Sequence, residues 1–409
     1  MTRVVITGFS AITSLGDNWE DFKAALEKGE NAVVTIPEWS EVSGLNTHLA
    51  APIKNYTTPS HYKRKQIRSM GKVSIMSTEA TEKALRQAGL LETDLLTSGD
   101  VGISYGSSMG STGPIPAFGD LLKDKNMDGI TATSYIQMMA HTTPVNVGVF
   151  FGLKGRTITT SSACTSSSQG IGYAYEAIKL GKQKAMVAGG AEELCLSAPA
   201  VFDTLFATSL KNETPHLTPR PFDKDRDGLV IGEGACTFIL EDLEYAKARG
   251  AKILAEVVGF GTNADGKHVT QPTAETMEKA MRLALEDANL APSDIGYVNA
   301  HGTSTEKGDI AESQATYNTF GEVPISSLKS YLGHTLGACG SIEAWASINM
   351  MNENWFAPSL NLDNIDPECA PLDYIQGQAR ELQTNYVMSN NFAFGGINTS
   401  LIFKRWHES

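Results

Sequence analysis

Cysteine and positive charge are both scarce in this chain of 409 residues. Its five cysteines, Cys164, Cys195, Cys236, Cys339 and Cys369, are odd in number and form no CxxC or CxxxC pair. That argues against a disulfide framework and against a structural zinc site. Lysine and arginine total 33 against 46 aspartates and glutamates, a net charge of −13. So acidic a chain repels a phosphate backbone at long range, and no nucleic-acid partner is expected. No apolar run reaches the roughly 18 residues of a membrane span, so no membrane partner is expected either. The first residues, Met1 to Gly8, lack the apolar segment of a signal peptide and read as a strand entering a turn. A cytoplasmic location is the expectation. Low-complexity stretches are missing too, since the 38 glycines fall in short loops, which excludes collagen-like and linker readings.

What is present is a core. Apolar residues make up 41% of the chain and charged residues 19%, as in a folded globular protein. At about 100–200 residues per domain, the length predicts two domains or one doubled fold. Apolar runs alternate with helical periodicity, the mark of an α/β layered fold. Expected strands include 3–8, 100–105, 184–188, 235–240, 255–260, 295–300 and 387–389. Expected helices include 19–28, 72–88, 170–180, 273–288 and 341–351. A weak internal repeat relates Ala80–Leu90 to Met277–Leu290. Each copy leads through a short loop to a strand and then a Gly/Ser/Thr segment. A duplicated domain follows, with halves 1–250 and 251–409.

Cys164 stands where β-branched residues (Thr157 to Thr160) give way to small ones and then to a helical pattern. A thiol near a helix N-terminus meets unpaired N–H groups, which favours the thiolate and suggests a nucleophile. His301 and His334 lie in glycine-containing loops of the second half. Neither belongs to HExxH, and no metal is expected. Two imidazoles with one thiol suit donation to the carbonyl oxygen of a reacting thioester. Two short motifs compete. Gly102-Ile103-Ser104-Tyr105-Gly106 matches the GxSxG elbow of hydrolases, but a loop rather than a helix is expected after it. Gly259-Phe260-Gly261 is a lone GxG and a weak dinucleotide signal. Lys63 to Arg68 holds four cations in six residues, which alone reads as a solvated helix face.

Four separated motifs, in order, resemble the beta-ketoacyl-[acyl carrier protein] synthases. They are Ala163-Cys164-Thr165-Ser166, the loop His301 to Thr305 ending in Gly308-Asp309, Lys329-Ser330 with Gly333-His334, and Asn391 to Asn398. Arg220 to Asp223 and Gly189 to Cys195 extend the likeness to nearly the whole chain. The resemblance implies a thiolase-like α/β fold: two duplicated halves in a five-layered α-β-α-β-α arrangement, assembled as a homodimer. It implies an acyltransferase that condenses a Cys-bound acyl chain with malonyl-acyl carrier protein, losing CO2 and adding two carbons. No cofactor is implied beyond the carrier's phosphopantetheine.

Carried over position by position, Cys164 is the nucleophile, and His301 and His334 serve decarboxylation. Lys329 supports them through an ion pair with Glu312. The N–H groups of Cys164 and Phe394 form an oxyanion hole, and the Phe394 side chain acts as a gate. Thr303 and Thr305 hold the pantetheine arm, Met109 borders the acyl pocket, and Phe392 and Gly395 contact substrate. Asp309 lends structural support, and Glu343 is a structural or ion-binding residue. Carrier proteins are acidic, so Arg64, Lys65 and Arg68 become docking candidates.

The chain departs from the family pattern at Asn391 for Ser, Ala393 for Gly, Ile397 for Thr, Glu306 for Pro and Cys339 for Ala. These changes spare the chemistry and suggest a specialised synthase, for example one building a polyene or polyketide. Other readings are a non-catalytic chain-length-determining partner in a heterodimer, a hydrolase using Ser104, and a coenzyme A thiolase. Intact Cys164, His301 and His334 argue against the first. A thiolase would carry a second Cys where Phe394 stands.

Overall fold

The computed structural model describes residues 2–408, so the terminal Met1 and Ser409 of the two expected halves lie outside it. Eleven strands form the main sheet: β1 (Val4–Thr13), β2 (Val101–Gly106), β3 (Thr157–Thr159), β4 (Ala185–Glu192), β5 (Gly234–Asp242), β6 (Ala255–Ala264), β7 (Tyr297–Asn299), β8 (Pro324–Ser326), β9 (Asp373–Tyr374), β10 (Tyr386–Ala393) and β11 (Ile397–Arg405). Their order is β9-β8-β7-β10-β11-β6-β1-β5-β4-β2-β3.

That order is one pattern used twice. In the first half β1 and β4 flank β5 antiparallel, and β4, β2 and β3 run parallel. In the second, β6 and β10 flank β11 antiparallel, and β10, β7 and β8 run parallel. Among the described residues the half-sheets meet only where Val4, Val5 and Ile6 pair with Val257, Glu256 and Ala255. Parallel neighbours need helical crossovers, and these correspond as well. They are α1 (Lys72–Gln87), α2 (Thr142–Phe151) and α3 (Ser166–Lys179) in one half, and α4 (Ala274–Ala288), α5 (Glu306–Phe320) and α6 (Cys339–Glu353) in the other. The internal repeat seen in the sequence falls on α1 and α4.

Helices α3 and α6 pack against each other and against strands of both half-sheets, while α1, α2, α4 and α5 cover the outer faces. Five layers result. The central layer is the driest, with Ile171, Tyr175, Trp345 and Ile348 in one buried cluster with Phe238 and Phe403. Close approach is bought with glycine: a Cβ on Gly340 would lie 2.8 Å from Ser168 of α3.

Most expected elements hold, with longer strands than alternation suggested. β1 runs to Thr13 and β6 to Ala264. The elbow reading of Ser104 fails, because this residue is fully buried inside β2, which continues straight to Gly106. The glycine-rich segment near the C-terminus is largely a hairpin. β10 and β11 pair up to Ala393 and Ile397, leaving only residues 394–396 as the turn. Thus two of the departures from the family pattern form its closing pair.

Candidate active site

Cys164 occupies a one-turn 3-10 helix, Ala163–Thr165, immediately before α3. Ala163 is held at φ 51°, which turns the chain so that the thiol faces inward. His301 follows β7, and its loop is pinned by Glu312 of α5. That carboxylate accepts the N–H groups of His301 and Gly302, each at 2.7 Å. His334 follows the short helix Lys329–Leu332, and its Nδ1 accepts the Leu336 N–H at 3.2 Å. A ring nitrogen that accepts carries no hydrogen in the neutral ring, so the hydrogen is on Nε2. That Nε2 lies 3.0 Å from Cys164 Sγ. The two imidazoles stand edge to face, with centroids 5.1 Å apart.

Burial governs the electrostatics. It pushes the Cys164 thiol up to about 11, although Lys329 and the N–H groups of Phe394 and Cys164 pull the other way. The expectation of an acidified thiol is therefore corrected: desolvation outweighs the helix terminus. Both histidines are held well below their ordinary value, first by burial and then by Lys329, so both are neutral donors.

Lys329 is also corrected. Its ammonium pairs with Glu343 of α6, both groups being buried, and not with Glu312. Glu312 spends its two oxygens on the loop N–H groups, and burial lifts it to about 8. The second Glu343 oxygen accepts from Asn391 at 2.8 Å. Asp309 ties two motifs together, accepting from Phe222 N at 2.8 Å and Ser304 N at 3.2 Å beside Arg226.

A cavity of about 440 Å³ leads to Cys164. Its lining includes His301, His334, Thr303, Thr305, Phe392 and Phe394. The Thr303 and Thr305 hydroxyls are 2.9 Å apart. The Phe394 ring leans on Phe202 with centroids 4.8 Å apart. Met109 and Gly395 do not line this cavity. The backbone N–H of Met109 points at Glu192 and its side chain lies beside Ser197, while Gly395 is the exposed tip of the hairpin, bonded to Val269 O at 2.8 Å. Arg64 and Lys65 lie on the exposed short helix Arg64–Ile67, and Arg68 caps it.

Several contributors were not assigned from sequence. Glu192 is fully buried and accepts from Ser108 N at 2.8 Å and Gly337 N at 2.9 Å, which clamps the two halves together. Cys339 donates its S–H to Cys164 O at 3.2 Å. The ligand atoms of Cys164, His301 and His334 lie within 4.8 Å of one another, as do those of His301, Cys339 and Glu343. The ammonium of Lys329 beside Glu343 opposes a cation there.

The family model for the beta-ketoacyl synthase N-terminal domain matches residues 1–246, and that for the C-terminal domain matches residues 254–363. The chain belongs to the beta-ketoacyl synthase family. It is 37% identical to 3-oxoacyl-[acyl-carrier-protein] synthase 1 of Haemophilus influenzae over 412 aligned positions, covering 100% of both. A crystal structure of a beta-ketoacyl synthase from Burkholderia phymatum is 60% identical with a TM-score of 0.99, covering 100% of each chain. A type II polyketide ketosynthase solved with its acyl-carrier protein is 27% identical with a TM-score of 0.85, covering 99% of this chain and 100% of that one. Within this family, the thiol and paired imidazoles of the synthase have an evident use.

Proposed function

We infer that this synthase is a condensing acyltransferase, elongating a Cys164-bound acyl chain by two carbons from malonyl-acyl carrier protein. The observation that carries it is the His334 Nε2 to Cys164 Sγ contact of 3.0 Å, with His301 opening on the same cavity.

Cys164 sulfur attacks the acyl thioester carbon, and the departing carrier thiol takes the proton. His334, with its hydrogen on Nε2, donates to the sulfur and steadies the charge that forms there. The N–H groups of Cys164 and Phe394 receive the oxyanion. Malonyl-carrier protein then binds. Its carboxylate leaves as CO2, and the freed electron pair becomes an enolate whose oxygen takes N–H donation from His301 and His334. The enolate carbon bonds to the acyl carbon, the C–S bond to Cys164 breaks, and the thiolate regains a proton from water. Neutral histidines suit this scheme because they donate without acting as bases. The chain's own residues supply every step, and no cofactor is invoked beyond the carrier's phosphopantetheine.

The partner in this reading is an acyl carrier protein, whose arm runs past Thr303 and Thr305. Arg64, Lys65 and Arg68 dock it by charge. The chain works as a homodimer. The open edge of β3 and the exposed Ile115, Leu122 and Met127 are surfaces that a second copy would cover. The complete Cys-His-His set disfavours the chain being itself a non-catalytic chain-length factor, and a heterodimer in which such a factor is the partner is the alternative assembly. Residues 1–250 and 251–409 are its two units, since β1 to β5 come from residues 4–242 and β6 to β11 from 255–405. Among the described residues no helix is long and apolar enough to cross a membrane, and we place the reaction in the cytoplasm. Ala393 and Ile397, facing each other at the hairpin end, tune acyl preference.

The test is intact-mass measurement with a panel of acyl-carrier proteins, followed by malonyl-carrier protein. An adduct on Cys164 that converts to a product two carbons longer is expected. Folded protein that takes no acyl group from any donor would refute the reading, and the best donor separates fatty acid from polyene or polyketide work.

A further inference from the structure

His301 differs from His334 in one respect that the condensing reaction makes important. The Nδ1 of His334 is capped by a backbone N–H, which the fold supplies whatever the side chains. Among the described residues no backbone group is bonded to the Nδ1 of His301. Its neighbour is the side-chain amide of Asn391, with Nδ2 at 3.5 Å.

Asn391 is fully buried in β10. Its Nδ2 donates to Glu343 Oε2 at 2.8 Å, and Glu343 is held by the Lys329 ammonium. Its Oδ1 has no partner and is turned toward Gly340, where a Cβ would lie 2.7 Å away. This orientation is dictated. Turning the amide over would set two acceptor oxygens against each other at Glu343. One N–H therefore goes to the carboxylate and the other is free for the imidazole. Cys339 Sγ, 3.6 Å from the same nitrogen, is a weaker acceptor and already donates its own hydrogen to Cys164 O. The family pattern has Ser here. A hydroxyl donates or accepts equally well, whereas this amide, with its carbonyl turned away, can only donate.

We propose that Asn391 is a positioning residue that fixes His301 in the tautomer bearing its hydrogen on Nε2, through a relay from Lys329 and Glu343 to Nδ1. The proposal rests on the condensing reading above and names the group that keeps His301 a donor. Only that tautomer can offer Nε2–H to an enolate oxygen. With the hydrogen on Nδ1, Nε2 would present a lone pair to developing negative charge.

The experiment is nitrogen NMR of the full chain labelled with 15N-histidine, with the His301 signal identified by its loss in His301→Gln. A bare Nδ1 and a protonated Nε2 are expected in the unaltered protein. A hydrogen on Nδ1 overturns the proposal at once. In Asn391→Ala a mixture of tautomers is expected, with malonyl decarboxylation lowered about tenfold and acylation of Cys164 changed less than about twofold. Asn391→Ser should fall between, and takes the place of the alanine variant if that one fails to fold. An unshifted tautomer in the folded variants, or equal losses in both half-reactions, also overturns it. The tautomer is read without substrate. A chain that holds Nε2–H yet forms no acyl adduct would sink the condensing reading and leave this one standing.

Discussion

Ala163 and Leu336 occupy the same place in the two halves of the molecule, and comparing them shows how a duplicated frame came to hold an asymmetric site. Each follows a parallel strand region, each takes a left-handed conformation (φ 51° and 47°), and each begins a 3-10 turn that leads into a central helix, α3 or α6. The next residue is Cys164 in the first copy and Gly337 in the second. Cys164 turns a thiol into the cavity. Gly337 has no room for any side chain: a Cβ would lie 2.5 Å from Ser108 N and 2.8 Å from Glu192 Oε2. Two residues before the left-handed position, the second copy carries His334 and the first carries Ser161, whose hydroxyl only donates to Ser108 O at 3.3 Å. One copy of the turn thus holds the thiol. The other holds the donor aimed at it and buttresses the loop across the interface.

Separating the two turns is the largest test. Cys164→Ala should abolish the acyl adduct and condensation while the second half goes on decarboxylating malonyl-carrier protein. Intact mass and CO2 release read the two events, and loss of both together would mean that the turns do not act separately. Next in size is the buried pair behind the second turn. Lys329→Met leaves Glu343 unpaired and should cost about 3–5 kcal/mol of stability. Urea unfolding would measure it, and a cost no larger than that of Glu312→Gln would restore the pairing expected from sequence.

The left-handed residues themselves sharpen the comparison. The Leu336 side chain packs with Phe202 and Ile231, so Leu336→Gly should destabilise by about 3 kcal/mol despite relieving its backbone. Ala163 has only a methyl group to lose, and Ala163→Gly should be neutral or stabilising by about 0.5 kcal/mol. Matching melting-temperature losses in both would mean that side-chain packing does not distinguish the two turns. A pH test reaches the carboxylates that clamp each half. Burial lifts Glu192 to about 7 and Glu312 to about 8. Both values stand above the unfolded carboxylate, so the folded chain binds the extra protons. Their stabilisation is full below about pH 4.5 and is lost as pH rises through about 7 to 8. Urea midpoints should fall across that range, and Glu312→Gln should flatten the upper part. A midpoint that rises with pH would reverse the assignment.

Much of this was legible without coordinates. The likeness of Ala80–Leu90 to Met277–Leu290 announced the duplication, because helices packed on equivalent sheet faces keep the same apolar spacing. Small residues around Cys164 and glycines around His334 marked places where the backbone comes close to something. Pairing was the illegible part. Glu312 and Glu343 are both glutamates on helical patterns, and nothing local says which one meets Lys329. Met109 was expected at an acyl pocket, and nothing local says that Glu192, far along the chain, holds its loop through the N–H groups of Ser108 and Met109. Asn391 stood out only as a departure, since its role depends on Glu343 and His301 arriving from two other elements.

The sequence by itself determined the α/β alternation, the doubling, the identity of the thiol and imidazoles, and the lack of a membrane-spanning helix. These follow from spacing, composition and local conformational preference, which are properties of short stretches. Only the tertiary structure decided the acidity of Cys164, the partner of Lys329 and the orientation of His301. Those depend on desolvation and on charges brought together from distant parts of the chain, and in a dry central layer such terms outweigh what a helix terminus contributes.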